Sequence, residues 1–297
     1  MDCSKRPKKR RIKIPPPSVN ETPVKTPEEA YNEGLDYFNE YSYYNALKLF
    51  EYAAKRGLAE AQYRAGLCYL EGKGVKEDSL LAGRYFTGAA EQGHAGAQNH
   101  LGDIKCREGE FRKGRQEYAE AINLYVEAVK WYTKAAEQGH AEAQCNLGIC
   151  YDYGQGVRED EVKALEWYTK AAEQGNAVAQ VCVGLCHNFG DGVPQDEVKA
   201  AEWYTKAAEQ GNAVAQYRLG LLYSTGKGVP QDDAKAAELF MKSADRGCAD
   251  AQYFLGNSYA HGIGVPEDYA KSVEWYTAAA HNGHQEAKKA LKALLEG

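Results

Sequence analysis

The sequence contains no apolar run of about 18 residues, so no segment is predicted to cross a membrane. The N-terminus is charged and is not followed by an apolar stretch, which is unlike a secretory signal. We therefore expect an intracellular, cytoplasmic protein.

Motifs that carry catalysis are also missing. The chain has no phosphate-binding loop, no nucleophile motif and no cluster with the spacing of metal ligands. Its Gly-x-Gly pairs follow predicted helices, and they lack the third glycine and the βαβ context of a dinucleotide site. His94, His140 and His284 occupy a repeated position where Asn and Cys also occur, which argues against a catalytic role. We predict a protein that is not an enzyme and needs no cofactor.

The eight cysteines lack the Cys-x-x-Cys spacing of structural zinc sites, so we expect no metal site. Cys68, Cys150 and Cys186 share one position of an internal repeat, where Leu222 and Ile104 also stand. Free cysteine behaves as a small hydrophobic residue, and this position therefore predicts buried packing.

Charge is distributed unevenly along the chain. Eight basic and two acidic residues give the first 26 residues a charge of +6, and because the whole chain is −6, residues 27–297 carry −12. Prolines and few apolar residues predict that 1–26 form a disordered basic tail. Its basic cluster resembles a monopartite nuclear import signal, but it could equally bind a nucleic-acid backbone or act as a solubilising arm: Lys5, Arg6, Lys8, Lys9, Arg10, Arg11 and Lys13.

What the chain does contain is a repeat, with a period of 36 residues. Ala-x-Ala-Gln recurs from Ala59, Ala95, Ala141, Ala177, Ala213 and Ala249. In every unit but the one from Ala95 a helical pattern precedes Gly-x-Gly-Val, and in all of them a second helical pattern ends at a glycine. Such a period predicts a stack of helix pairs in which each unit buries its apolar face against its neighbours.

Residues 141–176 carry the full pattern: Ala-x-Ala-Gln-x-x-Leu-Gly, Gly-x-Gly-Val, then Asp-x-x-Lys-Ala-x-x-Trp-Tyr-x-Lys-Ala-Ala-x-x-Gly. This pattern resembles the Sel-1-like repeat family. The resemblance implies an all-α fold, a right-handed α-solenoid superhelix of antiparallel helix pairs related to tetratricopeptide proteins, and a role as scaffold or adaptor. We expect a tetratricopeptide-like repeat over 27–58, six Sel-1-like repeats over 59–284, and a capping helix over 285–297, which makes about fourteen helices plus the cap.

The glycine inside each first helix costs about 1 kcal/mol relative to alanine, so we expect a neighbouring helix to approach it closely. Each second helix carries an aromatic pair such as Trp203-Tyr204, which we interpret as packing because it recurs in nearly every unit.

Some positions on the first helices vary between repeats, unlike those of the core. In helix-pair solenoids the first helices line the concave side, where ligands bind. These variable positions are therefore candidates for partner binding; the alternative is that they are simply unconstrained. The candidates are Tyr63, Arg64, Leu67, Ile149, Leu185, Tyr217, Arg218 and Leu221.

The repeat over 95–140 has ten extra residues and no Gly-x-Gly-Val loop. We predict that residues 105–115 form a projecting basic loop and that 116–138 form one unusually long helix. Arg107, Arg112, Lys113 and Arg115 are the further candidates, for contact with an acidic partner segment. The alternative is a solvated hairpin, because charge runs usually face water.

These observations favour a monomeric scaffold or adaptor that binds a protein or peptide on its concave face. The alternative is a factor that is targeted to the nucleus or associated with nucleic acid through its tail. The acidic body makes nucleic-acid binding by any other part of the chain unfavourable.

Overall fold

The computed structural model describes residues 25–296, so most of the predicted basic tail lies outside it. Over the described residues the chain forms fifteen α-helices and no strand. They are α1 Pro27–Asn39, α2 Tyr43–Ala54, α3 Ala59–Glu71, α4 Ser79–Glu91, α5 Ala95–Gly114, α6 Tyr118–Glu137, α7 Ala141–Asp152, α8 Glu161–Glu173, α9 Ala177–Phe189, α10 Glu197–Glu209, α11 Ala213–Thr225, α12 Asp233–Ala244, α13 Ala249–His261, α14 Tyr269–His281 and α15 Gln285–Glu296.

Each helix packs chiefly against the helix before it and the helix after it in the chain. The helices from α1 to α14 make seven antiparallel pairs, and α15 lies against α14 at the C-terminal end. This is the predicted right-handed α-solenoid, and the prediction of fourteen helices and a cap is confirmed.

Polar side chains at the repeated positions fix where the helices begin. Asp160, Asp196 and Asp232 each accept a hydrogen bond from the third backbone N–H of a second helix. First helices begin at the position shared by His, Asn and Cys: His140 Nδ1 accepts from Ala143 N, and Asn176 and Asn212 accept through Oδ1. The recurring histidines are thus helix caps, since the caps satisfy backbone donors that have no partner within the helix.

The cap at His140 should make stability depend on pH. Burial lowers the pKa of His140, the positive charges of His100 and His94 act in the same direction, and Glu142 and Asp103 oppose them. Protonation would also remove the Nδ1 lone pair that accepts from Ala143. The contribution is therefore complete above the unfolded pKa of about 6.5 and declines as the pH falls below it.

We expect His140→Asn, which places a non-titrating cap there, to reduce the loss of unfolding free energy between neutral and mildly acidic pH by up to about 1 kcal/mol. Denaturant titrations across that range measure it. His281→Asn, at an exposed position, is the matched control. An equal pH dependence in wild type and His140→Asn would contradict the prediction.

Aromatic rings of the second helices fill the space beside the first-helix glycines. A β-carbon at Gly184 would lie 2.5 Å from the ring of Tyr204, so only glycine fits there. This confirms the expected close approach and identifies the approaching group as a ring. The two aromatic residues of a pair differ, however: Tyr204 is buried, whereas Trp203 is half-buried and carries Lys206 Nζ 3.8 Å above its ring.

The glutamine of Ala-x-Ala-Gln forms a buried amide ladder that the sequence patterns do not reveal. Gln180 Nε2 donates to the carbonyl of Ala172 in the preceding repeat, and Gln180 Oε1 accepts from Gln210 in its own repeat. The same arrangement recurs at Gln98 and Gln144. Buried amides need partners of this kind, so the motif glutamine holds both neighbours of each first helix in register.

The inserted repeat differs from the prediction. Residues 105–114 are not a loop; they continue α5, which ends at Gly114, and Gln116, with φ +64°, lies in the tight turn before α6. No Gly-x-Gly pair ends the helix, and Gly109 lets α5 pack against the ring of Tyr125 on α6. The long second helix is confirmed, because α6 spans 20 residues. Residues 108–124 form a helical hairpin, which we call the overhang, beyond the positions that match the other repeats.

Candidate functional site

Three successive first helices, α7, α9 and α11, line one cavity of about 460 Å³. Three of the predicted candidates lie in it: Ile149 from α7, Leu185 from α9 and Arg218 from α11. We call the cavity the inner groove. Its lining residues are Ile149, Asp152, Tyr153, Tyr168, Cys182, Leu185, Cys186, Phe189, Asp191 and Arg218.

Arg218 is the basic residue of the inner groove, and it makes no ion pair with any residue between 25 and 296. Its Nε is buried without a hydrogen-bond partner. The hydroxyl of Tyr204 is likewise buried and unpartnered. Burial raises the pKa of Tyr204, and the nearby charge of Arg218 acts against that effect. Two buried polar groups thus lack hydrogen-bond partners, and of the two only Arg218 lines the groove, where its guanidinium also lies 5.6 Å from the centroid of the Tyr217 ring.

Tyr204 is exceptional among the buried tyrosines at its repeat position. Tyr132 donates to Asp103 at 2.9 Å, Tyr168 donates to Asp152 at 3.1 Å, and Tyr276 donates to Asn257. An unsatisfied buried hydroxyl costs about 1–3 kcal/mol, which a ligand could recover by supplying a partner.

Two carboxylates complete the inner groove. Burial raises the pKa of Asp152, and the hydrogen bond from Tyr168 partly offsets this while the charge of Asp191 adds to it. The groove therefore holds acceptors at Asp152 and Asp191, a donor at Arg218, and the apolar side chains of Ile149, Leu185 and Phe189. An extended peptide presents matching groups, since its backbone offers both donors and acceptors.

The predicted candidates nearest the N-terminus form a separate cluster. The ring of Tyr63 stacks on His94 at 4.3 Å between centroids, and Arg64 Nε lies 3.7 Å from Glu60. Leu67 packs against the core beneath α4. The structure does not bring these residues to the inner groove.

A polar network that the sequence did not indicate lies between the two clusters. Asn146 Nδ2 donates to Asn99 Oδ1 at 3.1 Å and to Asp103 at 3.2 Å, which joins α5 to α7. Asn99 is buried, so the network holds the two helices together. Asn99, Asp103 and Asn146 occupy the same variable positions as the first-helix candidates for partner binding. In the sequence, only their polar Asn and Asp side chains could have indicated hydrogen bonds between α5 and α7.

Tyr217 and Leu221 pack into the next repeat. The ring of Tyr217 lies 5.8 Å from Phe254 and 6.2 Å from Phe240, and Leu221 joins the same apolar cluster. Of the eight candidates on the first helices, the structure thus places Ile149, Leu185 and Arg218 in one cavity and the other five elsewhere.

The basic candidates of the inserted repeat differ in their pairing. Arg112 pairs with Glu117 at 2.6 Å and with Glu120, and Arg115 pairs with Glu117 at 3.1 Å. Within the described part of the chain, Arg107 and Lys113 make no ion pair. The positive charge of the segment is thus partly cancelled by its own glutamates.

All seven cysteines in the described range are free. Over residues 25–296, no group of three or more His, Cys, Asp or Glu side chains is arranged to hold a metal ion. None of the described helices combines the length and the apolar character needed to cross a membrane.

A stack of helix pairs with a groove across its first helices defines a helical-repeat protein of the α-solenoid class. The family model described as Sel1 repeat matches residues 29–58, 59–94, 95–140, 141–176, 177–212, 213–248 and 249–284. The chain belongs to the Sel1 repeat family. The match includes residues 29–58, the short unit whose sequence predicts a tetratricopeptide-like repeat.

Two solved structures are similar to the chain. The first is c5321, a protective antigen present in uropathogenic Escherichia coli strains, with 34% identity and a TM-score of 0.73 over 90% of this chain. This chain spans 56% of the c5321 structure. The second is a Sel1 repeat protein from Oxalobacter formigenes, with 33% identity and a TM-score of 0.58 over 90% of this chain and 87% of that one. Comparison with curated protein sequences finds no match.

Sel1 repeat proteins are generally non-catalytic scaffolds for protein interaction. Membership of the family therefore agrees with the predicted class of function and names no partner.

Proposed function

We propose that this protein is an adaptor that binds an extended segment of a partner protein in the inner groove. The observation that carries the proposal is the unpartnered Nε of Arg218, which lines a cavity together with apolar side chains, and the unpartnered hydroxyl of Tyr204 lies near the charge of Arg218. In a bound complex, Arg218 and Tyr204 would donate to carbonyl or carboxylate oxygens of the segment. Ile149, Leu185 and Phe189 would contact one of its apolar side chains, and Asp152 and Asp191 would accept from its N–H groups.

Affinity purification with mass spectrometry tests the proposal. Leu185→Glu and Arg218→Glu should each remove partners that the wild-type protein captures, by about ten-fold or more. Arginine is enriched among the residues that dominate protein interfaces, and a glutamate at position 185 would place an unpaired charge in an apolar contact. Val198→Glu and Lys130→Glu are matched controls on exposed parts of the second helices. Tyr204→Phe should weaken the same partners without loss of stability. Partners retained by both groove variants would contradict the proposal.

The alternative function is nuclear targeting or association with nucleic acid through Lys5, Arg6, Lys8, Lys9, Arg10, Arg11 and Lys13, all of which lie outside the described residues. Binding through phosphate contacts would weaken steeply with salt. Deletion of residues 1–14 separates the two functions, because it should abolish duplex binding and leave partner capture intact. Residues 27–297 carry a charge of −12. Duplex binding by the truncated protein would therefore contradict both the assignment of nucleic-acid binding to the tail and the expectation that the acidic body does not bind nucleic acid.

A further inference from the structure

The Gly-x-Gly loops cover the beginnings of the second helices. The second glycine of each pair, with positive φ, lies against the backbone of the second helix in the preceding repeat, so closely that a β-carbon at Gly192 would be 2.6 Å from the carbonyl oxygen of Glu161. The same contact joins Gly228 to Glu197 and Gly264 to Asp233. A loop therefore covers one side of the first turn in each of these second helices.

The inserted repeat has no such loop, and the beginning of α4 lacks this cover. Instead, α5 continues past it toward the overhang. Between α4 and α5 lies a cavity of about 640 Å³, which we call the overhang cleft. Its lining residues are Ser79, Leu80, Gly83, Arg84, Thr87, Leu101, Ile104, Lys105, Arg107, Glu108 and Phe111.

The walls of the overhang cleft are apolar and reach the solvent. Leu80 is 73% exposed on the α4 side, and Phe111 is 63% exposed on the α5 side. Ile104 and Leu101 form the more buried part between them. Large side chains exposed on both walls of one cavity are typical of a surface that a partner covers.

Charge indicates what kind of partner fits. Lys105 is neutralised by Glu108 and Glu127, each 3.3 Å away. Arg84 and Arg107 have no carboxylate partner within residues 25–296; Arg107 makes only a hydrogen bond of 3.4 Å from Nε to the carbonyl of Asp103. The cleft thus carries two uncompensated guanidinium groups on an acidic body. Guanidinium groups bind carboxylates by charge-assisted, often bidentate hydrogen bonds.

We propose that the overhang cleft is a second docking site, distinct from the inner groove, for an acidic amphipathic peptide segment of a partner protein. A leucine-sized or phenylalanine-sized side chain of the segment enters between Leu80 and Phe111. Carboxylates one helical turn away on either side pair with Arg84 and Arg107. The proposal concerns other elements than the inner groove and stands whether or not a partner binds there.

Fluorescence anisotropy with labelled synthetic peptides tests this site on the full chain. The probe is a short helical peptide with leucine at every third or fourth position and glutamate between the leucines; two counterparts carry glutamine or lysine in place of glutamate. We expect the acidic peptide to bind at least about ten-fold more tightly than either counterpart, and its affinity to fall with salt because the charges are exposed.

Substitutions assign the binding to the cleft. Leu80→Glu and the double variant Arg84→Glu with Arg107→Glu should each weaken binding of the acidic peptide by about ten-fold or more. Val162→Glu and Lys130→Glu are matched controls, because they occupy the same repeat positions as Leu80 and Arg84 on helices that a Gly-x-Gly loop covers. Circular dichroism melts of all variants establish that the fold is retained.

Several results would overturn the proposal. The acidic peptide could fail to bind, or the lysine peptide could bind as tightly, which would remove the charge argument. Binding that survives both Leu80→Glu and Arg218→Glu would come from the basic residues of 5–13 instead. Binding lost in Arg218→Glu but kept in the cleft variants would assign the peptide to the inner groove, and a fall in the control variants would show a non-specific effect.

Discussion

Tyr204→Ala should lower the free energy of unfolding by about 3–5 kcal/mol, the range for removing a large aromatic side chain from a core. Tyr204 is only 1% exposed, and its ring packs with Ala215 and Leu219 of the next repeat as well as against Gly184. The substitution would therefore open a cavity at the contact between two repeats. Chemical denaturation monitored by far-UV circular dichroism measures the loss.

Milder substitutions separate the ring of Tyr204 from its hydroxyl. Tyr204→Phe should change stability little or raise it, because the hydroxyl has no partner, whereas Tyr168→Phe should cost about 1 kcal/mol for the lost hydrogen bond to Asp152. Trp203→Ala should cost less than Tyr204→Ala, since the indole is half-buried. A smaller loss for Tyr204→Ala than for Trp203→Ala would show that the indole is the main packing group.

Gly228→Ala should destabilise the protein by about 3 kcal/mol or more, although the position lies in a surface loop. Its φ of +68° disfavours a side chain by about 1–2 kcal/mol. A β-carbon there would also lie 2.1 Å from the carbonyl oxygen of Glu197 and 2.3 Å from its carbon, so the loop must separate from α10. Both effects act on the contact that joins neighbouring repeats, and thermal and denaturant unfolding should report them together.

Gly247→Ala is the matched control, since Gly247 has a φ of +85° and no atom within 4 Å of a β-carbon. It should lose only the conformational part, about 1–2 kcal/mol. Equal losses in the two variants would mean that the approach to Glu197 contributes nothing to stability.

The repeat made the fold predictable from the sequence. Local signals recur: the Gly-x-Gly pair and the aspartate before the second helix occur in five units, and a glycine follows the second helix in all seven. An ambiguous feature in one unit is therefore resolved by the others. The glycine inside the first helix indicates a close approach, and the ring of Tyr204 fills that space. Comparison of equivalent positions across the repeats thus supplies structural information that the sequence of a single helix pair does not contain.

The candidate site was only partly predictable, because variable positions share no pattern. Ile149, Leu185 and Arg218 meet in the inner groove, yet Tyr217 at the neighbouring position packs into the next repeat. Which neighbour a side chain contacts depends on the rotation between repeats, and the sequence does not state this rotation. The missing partners of Arg218 and Tyr204 were likewise invisible, since an absent hydrogen bond depends on all the surrounding side chains.

The prediction of a loop in the inserted repeat failed for a related reason. Residues 105–115 are rich in charge, which usually indicates a solvated segment, but the helix continues through them as far as Gly114, and Gly109 accommodates Tyr125. With no second copy of the insertion in the chain, the comparison between repeats that resolved the other elements was not possible.

The overhang also shows how an α-solenoid can acquire a new part without being rebuilt. Extra turns were added to two antiparallel helices at the same end, so the flanking contacts of α4 with α5 and of α6 with α7 follow the pattern of the other repeats. Ten additional residues lengthen one helix pair of the solenoid and leave the packing of the neighbouring pairs unchanged. The position is therefore a natural point for grafting, where a protein engineer could exchange the hairpin for another of different length or sequence while the repeats on both sides continue to stack.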